Sequence, residues 1–556
     1  MKRISLIFLL CCILWPAHAQ SWAKKAANAV FTLKTFSEDG NLLASSNGFF
    51  IGEQGEAISC FAPFKNASRA IIIDAQGKEF PVDCLSGINE MYDVAKFQVV
   101  AKKTTALSVA SQAANNGSTV WLLPYSVKKT PTCIQGTVSK AETFGNNDTY
   151  YTLAMTQNEQ QVGCPVMNDQ GEVIGILQPS ANQKSVEGYA VSARFAASLH
   201  MNALSFNDPT LQNIKIAKAL PDDLNEATLA LYLTATTMEA EAYAQLIDRY
   251  ILKFPQSTDG YVYRARTKIA KNDLAGADED FKLAIRMGTN KDDAHYQYAQ
   301  TMLRHLLYNN SQANDSWTLD AALKESEEAY TINPQPVYRQ QQAQILYAQK
   351  KFDTAYNIYM ELTKNDIMKA EAYYAAAECK VQLDDSQAAL ALMDSAVNTF
   401  TKPYIKTAAP YLLTRAQMLY DAKKYRPAVN DFNEYETLMA AQLNAHFYFL
   451  REQAEFGGHL YQQALDDIKK AVEMAPDELI YRAEKANLEL RVGMTDEAIE
   501  TAKGCISKDS EASDGYLFLG LALCVKGQKT EGLQNLQKAK ELGNSQAQSF
   551  IEKYSK

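Results

Sequence analysis

The second half of the chain repeats with a period of about 34 residues. From about residue 225 onward, Ala, Leu, Tyr, Glu and Gln recur at helical spacing, and prolines stand near the predicted helix ends. A unit of this length is a pair of helices that cannot bury its apolar face alone, so neighbouring pairs must stack. Nine units fit residues 225–545, and residues 546–556 end a last helix. Their predicted first residues are 225, 258, 292, 336, 370, 409, 445, 479 and 513.

Positions inside the units follow one pattern. In the unit that begins at Thr258, small or aromatic residues occupy the fourth, eighth, twentieth, twenty-fourth and twenty-seventh places, namely Tyr261, Ala265, Ala277, Phe281 and Ala284. Small residues at the eighth and twentieth places let the two helices approach closely. The pattern resembles the tetratricopeptide repeat. Two units depart from it, since the third carries an insertion around Leu306 to Trp317 and the seventh has Glu452 at its eighth place.

This resemblance implies a binding groove on the concave face formed by the first helix of each unit. In that family the ninth place points into the groove, and amides there can both donate to and accept from the backbone of an extended peptide. The alternative is that these residues are ordinary soluble helix surface. The predicted groove residues are Arg266, Gln300, Gln344, Glu378, Gln417, Gln453 and Asn487.

The first half of the chain reads as short apolar or alternating runs between Gly, Asn and Asp, which is typical of an all-β domain. Four segments resemble, in order, strands of trypsin-like serine peptidases, especially the bacterial high-temperature-requirement branch. They are Asn47–Ser59 (NGFFIGEQGEAIS), Tyr92–Phe97 (YDVAKF), Gly171–Ile176 (GEVIGI) and Gly188–Val191 (GYAV). The resemblance implies a two-barrel domain over residues 20–205. Residues 206–224, with two prolines, are the predicted linker or docking segment before the helices.

The residues that the resemblance places at the catalytic positions do not suit catalysis. Ala62 stands where the family has its histidine, Val162 where it has its serine, and Asp93 alone keeps its identity. Residues 20–205 contain one histidine, His200, near the end of the domain. Loss of the serine or the histidine in such enzymes costs about 10⁶ in turnover. We therefore expect a catalytically inactive domain in which Asp93 is a structural hydrogen-bond acceptor.

Cys164 is the residue that could overturn this interpretation, because viral relatives of this fold use a cysteine nucleophile. It lies two places after the nucleophile position and is followed by Pro165, and no histidine is close in sequence to generate its thiolate. A buried or disulfide-bonded cysteine is the favoured interpretation. An exported peptidase with a non-standard centre and a structural cell-envelope component remain the two alternatives to an adaptor.

The first 19 residues have the features of a cleaved signal peptide. Lys2 and Arg3 precede an apolar run from Ile4 to Trp15, and Ala17-His18-Ala19 supplies a cleavage site. The apolar run is too short to span a bilayer as a helix. We expect an exported protein without an integral membrane span, located in the periplasm, associated with the cell envelope or extracellular.

Seven cysteines remain after the signal peptide, and export permits disulfides. Within the β domain the local choice pairs Cys60 with Cys84 and Cys133 with Cys164. The alternative is that these are small buried apolar residues. The sequence contains no CxxC motif and no Cys/His cluster, so we expect neither a metal site nor a cofactor.

The formal net charge of −9 gives no electrostatic support for nucleic-acid binding. The sequence thus predicts an exported adaptor: an inactive trypsin-like domain followed by a repeat superhelix. The expected partner is a protein or peptide of the cell envelope. The substrate-type cleft of the inactive domain could also bind an extended strand by β-addition.

Overall fold

The computed structural model describes residues 22–127, 132–180, 186–308 and 316–555. The predicted signal peptide lies outside the described residues. The described residues fall into two compact units, with the division between Ala294 and His295. The first unit holds two β-barrels and two helix pairs, and the second holds the remaining helices. The predicted fold class, an all-β two-barrel domain followed by an all-α repeat region, is confirmed.

The first barrel is antiparallel throughout and follows a short helix, α1 (Ala23–Ala26). Its strands are β1 (Val30–Phe36), β2 (Leu42–Phe50), β3 (Glu56–Ser59), β4 (Arg69–Ile73), β5 (Glu79–Asn89) and β6 (Val94–Val99). The spatial order is β5-β4-β1-β2-β3-β6, and β5 closes the barrel by pairing with β6 as well. The length of β5 makes this closure possible, since Phe80 pairs with β4 and Leu85 pairs with β6.

The second barrel closes in the same antiparallel manner, in the order β10-β11-β12-β9-β8-β7. Its strands are β7 (Thr119–Leu122), β8 (Ile134–Phe144), β9 (Asp148–Ala154), β10 (Pro165–Met167), β11 (Val173–Gln178) and β12 (Glu187–Ser192). Every residue of β11 is buried, which is consistent with the apolar run Val173–Leu177 that precedes its last residue, Gln178.

Residues 206–224 dock against the first barrel. They follow α2 (Ala193–Ser198) and contain α3 (Pro209–Gln212) and β13 (Ala217–Lys218). Strand β13 adds to β5 in parallel, with Ala217 opposite Cys84. Five apolar side chains of this stretch are buried in the same core as the first barrel, namely Phe206, Leu211, Ile214, Ile216 and Leu220. The stretch therefore extends the barrel core toward the helices.

Nine helix pairs follow in the described residues, and each begins within one residue of its predicted start. They are α4 (Leu224–Thr234) and α5 (Ala240–Lys253), α6 (Thr258–Ala270) and α7 (Leu274–Met287), α8 (Lys291–Tyr308) and α9 (Leu319–Ile332), α10 (Pro336–Ala348) and α11 (Phe352–Leu362), α12 (Lys369–Gln382) and α13 (Ser386–Val397), α14 (Ala409–Asp421) and α15 (Tyr425–Met439), α16 (Ala445–Gly457) and α17 (Tyr461–Met474), α18 (Leu479–Arg491) and α19 (Thr495–Lys508), and α20 (Ser513–Val525) and α21 (Lys529–Glu541). Helix α22 (Ala547–Ser555) follows the last pair. Most of the predicted insertion, residues 309–315, lies outside the described residues.

A recurrent turn joins the two helices of most pairs. The fifteenth residue of the unit has a positive φ, which ends the first helix and lets the second turn back. The residues at this place are Asn272, Lys350, Asp384, Lys423, His459, Gly493 and Gly527. The small residues predicted at the helix contact are fully buried, as for Ala265 and Ala277. In the part of the chain that the structure describes, no helix combines the length and apolarity needed to cross a membrane.

Candidate functional site

Two of the three positions predicted from the peptidase resemblance are joined directly. Ala62 begins a 3-10 turn after β3, and its backbone N–H donates to Asp93 Oδ1 at 2.6 Å. The N–H of Phe61 donates to the backbone oxygen of Asp93, whose φ is 47°. Burial raises the pKa of the Asp93 carboxyl above its ordinary value, although these backbone donors oppose the shift. Asp93 thus accepts a hydrogen bond from the backbone of Ala62, and a purely structural role for it stays a prediction.

The one histidine of the β domain, His200, forms its hydrogen bond away from Asp93. His200 is exposed, follows α2, and its Nδ1 lies 3.2 Å from the backbone oxygen of Ser198. The backbone N of His200 packs over Gly87 of β5. The hydrogen bonds of the described residues do not join its ring to Asp93.

The third position, Val162, is fixed through its backbone. The N–H and the Nδ2 of Asn47 on β2 both donate to the oxygen of Val162, at 3.2 and 3.0 Å, and Nδ2 also donates to Gln160 O at 2.8 Å. The next residue, Gly163, has φ +85°, and a Cβ there would lie 2.1 Å from the backbone oxygen of Asn47. The segment around Val162, the predicted nucleophile position, is therefore held by hydrogen bonds to the first barrel, and the half-buried Val162 side chain packs against the core of the second.

The cysteines do not form the predicted pairs, because all seven between residues 22 and 555 are free thiols. Cys60 lies in the core of the second barrel, whereas Cys84 lies on β5 beside Asp83 and Arg249. Cys164 is fully buried in the same core as Cys60, while Cys133 is only half-buried. The alternative interpretation, that the cysteines are small buried residues, fits every one of the seven except the half-buried Cys133. Burial raises the pKa of Cys164 to about 12.

The predicted groove residues occupy different environments. Arg266, in the first compact unit, has its guanidinium 5.7 Å from the ring centre of Tyr263. In the second unit Gln300 and Gln344 are exposed, and Glu378 is half-buried. The assignment of these residues to a peptide groove stays a prediction.

Three of the predicted amides each donate to a nearby carboxylate. Gln417 Nε2 donates to Asp421 at 3.3 Å, Gln453 Nε2 to Glu452 at 2.6 Å, and Asn487 Nδ2 to Glu484 at 3.0 Å. The three carboxylates that accept these hydrogen bonds were not among the predicted groove residues. Of these three acids, Glu452 is the one that the sequence could have indicated, because it departs from the repeat pattern at the eighth place of its unit.

The pKa of Tyr420 on α14 is raised by burial and by charges that include Glu452 on α16 and Glu484 on α18. Burial and the neighbouring Glu484 also raise the pKa of the fully buried Glu452 to about 8.

The described residues contain no group of three or more His, Cys, Asp or Glu side chains placed to hold a metal ion. Residues 46–176 match the family model of the trypsin-like peptidase domain. A comparison with curated proteins gives no match.

Proposed function

We propose that this protein is an exported adaptor, with a catalytically inactive trypsin-like domain and a helical repeat region that binds a protein or peptide partner. The observation that carries the proposal is the arrangement at the three catalytic positions. Asp93 bonds the backbone of Ala62 instead of an imidazole, and the loop at Val162 is held by Asn47. The repeats resemble tetratricopeptide repeats in the small residues at the eighth and twentieth places and in the positive φ of the turn between the two helices.

The chemistry of acyl transfer supports inactivity. A hydroxyl or thiol nucleophile needs a base within hydrogen-bond reach. The side chains at the base and nucleophile positions, Ala62 and Val162, carry no titratable group. The ring of His200 faces the backbone of Ser198.

Burial argues against Cys164 as a substitute nucleophile. Its side chain is fully buried, and its pKa of about 12 leaves almost no thiolate at neutral pH. Electropositive neighbours lower the pKa of reactive cysteines, and none contributes here. The thiol therefore acts as a core residue.

Two measurements test inactivity. Purified protein of residues 20–556 is incubated with unfolded casein beside a Cys164→Ala variant and a trypsin-like control, and we expect no cleavage above blank. Cleavage that Cys164→Ala abolishes would overturn the proposal. Iodoacetamide labelling of the native protein provides the second test, with Cys133 expected to react first and Cys164 only after unfolding.

Export is tested separately. Expression of the full chain followed by cell fractionation and mass measurement of the N-terminus should yield a mature protein that begins at Gln20 outside the cytoplasm. An intact N-terminus in the cytoplasmic fraction would contradict export while leaving the binding proposal to stand. Capture from a cell-envelope extract with the mature protein as bait then identifies the partner.

A further inference from the structure

We infer that a polar cavity between the fifth and sixth repeat units binds a neutral saccharide. The cavity has a volume of about 770 Å³, which lies within the range of ligand sites in proteins. It is lined by α13, α14, α15 and the connection of residues 398–408, all within the second compact unit. The predicted groove residues do not line it, so the inference goes beyond the proposed binding of a peptide.

The connection that forms one wall of the cavity is an insertion in the repeat pattern. Residues 398–408 make it 11 residues long, whereas the other connections between successive units in the second compact unit are 3 to 6 residues long. The inserted stretch contributes Asn398, Lys402 and Tyr404 to the lining. The other helix pairs stack without extra residues of this kind, and insertions in repeat proteins often lie on the binding face. This wall is therefore an addition to the repeat architecture.

The charged side chains that line the cavity are paired with one another. Arg415 lies 2.6 Å from Asp431 and 3.3 Å from Asp394, and Lys402 lies 2.7 Å from Glu434. A charged ligand would compete with one of these pairs, and removing a partner from a buried pair is costly. A neutral ligand can bind while all of them stay in place.

Donors and acceptors remain open beside these pairs. A guanidinium carries five N–H groups, and three of those on Arg415 donate to Asp394 and Asp431. The side chains of Asn398 and Asn430 are exposed and have no hydrogen bond to any other described residue. Each of these two amides presents one acceptor oxygen and two donor hydrogens. The cavity thus offers both kinds of hydrogen-bonding group to a ligand.

A saccharide matches this combination. Each sugar hydroxyl donates and accepts at once, so it can bond an open N–H group together with a carboxylate oxygen, and hydrogen bonds to ionised groups are the stronger ones. A sugar ring also has C–H faces, and Tyr404, Leu419 and Pro427 give the cavity an apolar part. The lining comes from helices and one connection, so it presents no strand edge to which an extended peptide could add.

The experiment begins with an array of neutral and acidic oligosaccharides, probed with labelled protein of residues 20–556. We expect binding to neutral saccharides. One bound saccharide is then titrated by calorimetry into the wild type, Asn398→Ala and Asn430→Ala. Each variant should bind about tenfold more weakly, because it loses the hydrogen bonds of one amide. Both side chains are exposed, so we expect the two variants to fold normally.

Asn357→Ala is the matched control. Asn357 is also exposed, and on α11 it occupies the twenty-second place of its unit, as Asn430 does in the sixth unit. The connection before its unit, residues 333–335, is short, and Asn357 does not line the cavity. Its affinity for the saccharide should equal that of the wild type.

Four results would overturn the inference: no neutral saccharide bound on the array, binding of acidic saccharides only, binding that both Asn398→Ala and Asn430→Ala retain in full, or an equal loss with Asn357→Ala. None of these results bears on the adaptor proposal, which partner capture tests separately.

Discussion

Arg451 on α16 lies 2.6 Å from Asp467 on α17, and the two side chains form a bidentate pair that is almost completely buried. The partners are sixteen residues apart, at the seventh and twenty-third places of their unit. The same places are joined in two other units, by Arg264 with Asp280 and by Arg415 with Asp431.

Each of these arginines also reaches back to the preceding unit. Arg264 bonds Asp248, Arg415 bonds Asp394, and Arg451 bonds Glu436. One guanidinium thus connects the second helices of two successive units, using a planar fork that suits two carboxylates. These pairs fix how neighbouring units stack.

We predict that Asp467→Ala lowers the stability of the helical region by about 3 kcal/mol, because it leaves a buried guanidinium with incomplete pairing. Urea unfolding followed by circular dichroism at the helical band measures the effect. Asp466→Ala is the matched control, since Asp466 is the exposed neighbour on the same helix and should change stability by less than about 0.5 kcal/mol. Equal effects of the two variants would contradict a special role for the buried pair.

The buried acids of α16 predict a pH dependence. Burial raises the pKa of both Glu452 and Glu455 to about 8, with nearby carboxylates adding to the shift. In the unfolded chain these groups ionise near pH 4.5, so between that pH and about pH 8 the folded protein retains protons that the unfolded chain has lost. Stability contributed by the neutral carboxyls is present at low pH and is lost as the pH rises through this window.

Glu452→Gln should reduce that loss, because one group of the pair no longer ionises. The expected change in slope is up to about 1.4 kcal/mol per pH unit. Urea midpoints at about pH 6 and about pH 8 measure it, with the exposed Glu497→Gln as the control. A slope that is unchanged in Glu452→Gln would show that Glu452 is ionised throughout.

The contact between Gly163 and Asn47 predicts a position where no side chain fits. Gly163→Ala forces a positive φ on alanine and places its Cβ against the Asn47 backbone, so we expect a loss of more than about 2 kcal/mol. Gly40→Ala has a similar φ and open space around it, and should cost only about 1–2 kcal/mol. Thermal unfolding of the two variants compares them, and similar losses would mean that the Val162 segment is not held as described.

The first helix pair shares its core with the first barrel, which leads to a prediction about the joint. Ile247 on α5 is fully buried in the cluster that contains Phe31 and Leu85, and the same helix places Arg249 2.8 Å from Asp83 on β5. Ile247→Ala should cost about 2–4 kcal/mol through the cavity it leaves. Arg249→Ala should cost about 1 kcal/mol or less, since both partners of that ion pair are more than a third exposed.

Hydrogen exchange of the amides of β1 distinguishes a shared core from a separate one. In Ile247→Ala these amides should exchange faster, although the substitution lies in a helix. Unchanged exchange in β1 would show that the barrel does not depend on the helix pair.

Much of the fold could be predicted because the patterns are local. The repeat period reflects which residues are buried at each helical turn. It predicted the first residue of every described helix pair to within one residue. The apolar segment Gly171–Ile176 predicted β11, whereas the long strands β5 and β8, which have a polar face, carry no such segment and were not predicted. A strand with one solvent-exposed face has a weak sequence signal, because its stability depends on packing against the neighbouring strands.

The sequence by itself determined that a β region precedes a helical region and where each helix pair begins, since both depend on residues close together in the chain. Only the tertiary structure decided the Arg451–Asp467 pairing, the docking of residues 206–224 and the free state of the cysteines. Each of these relationships joins side chains from separate elements, and their distances follow from how those elements pack rather than from spacing along the chain.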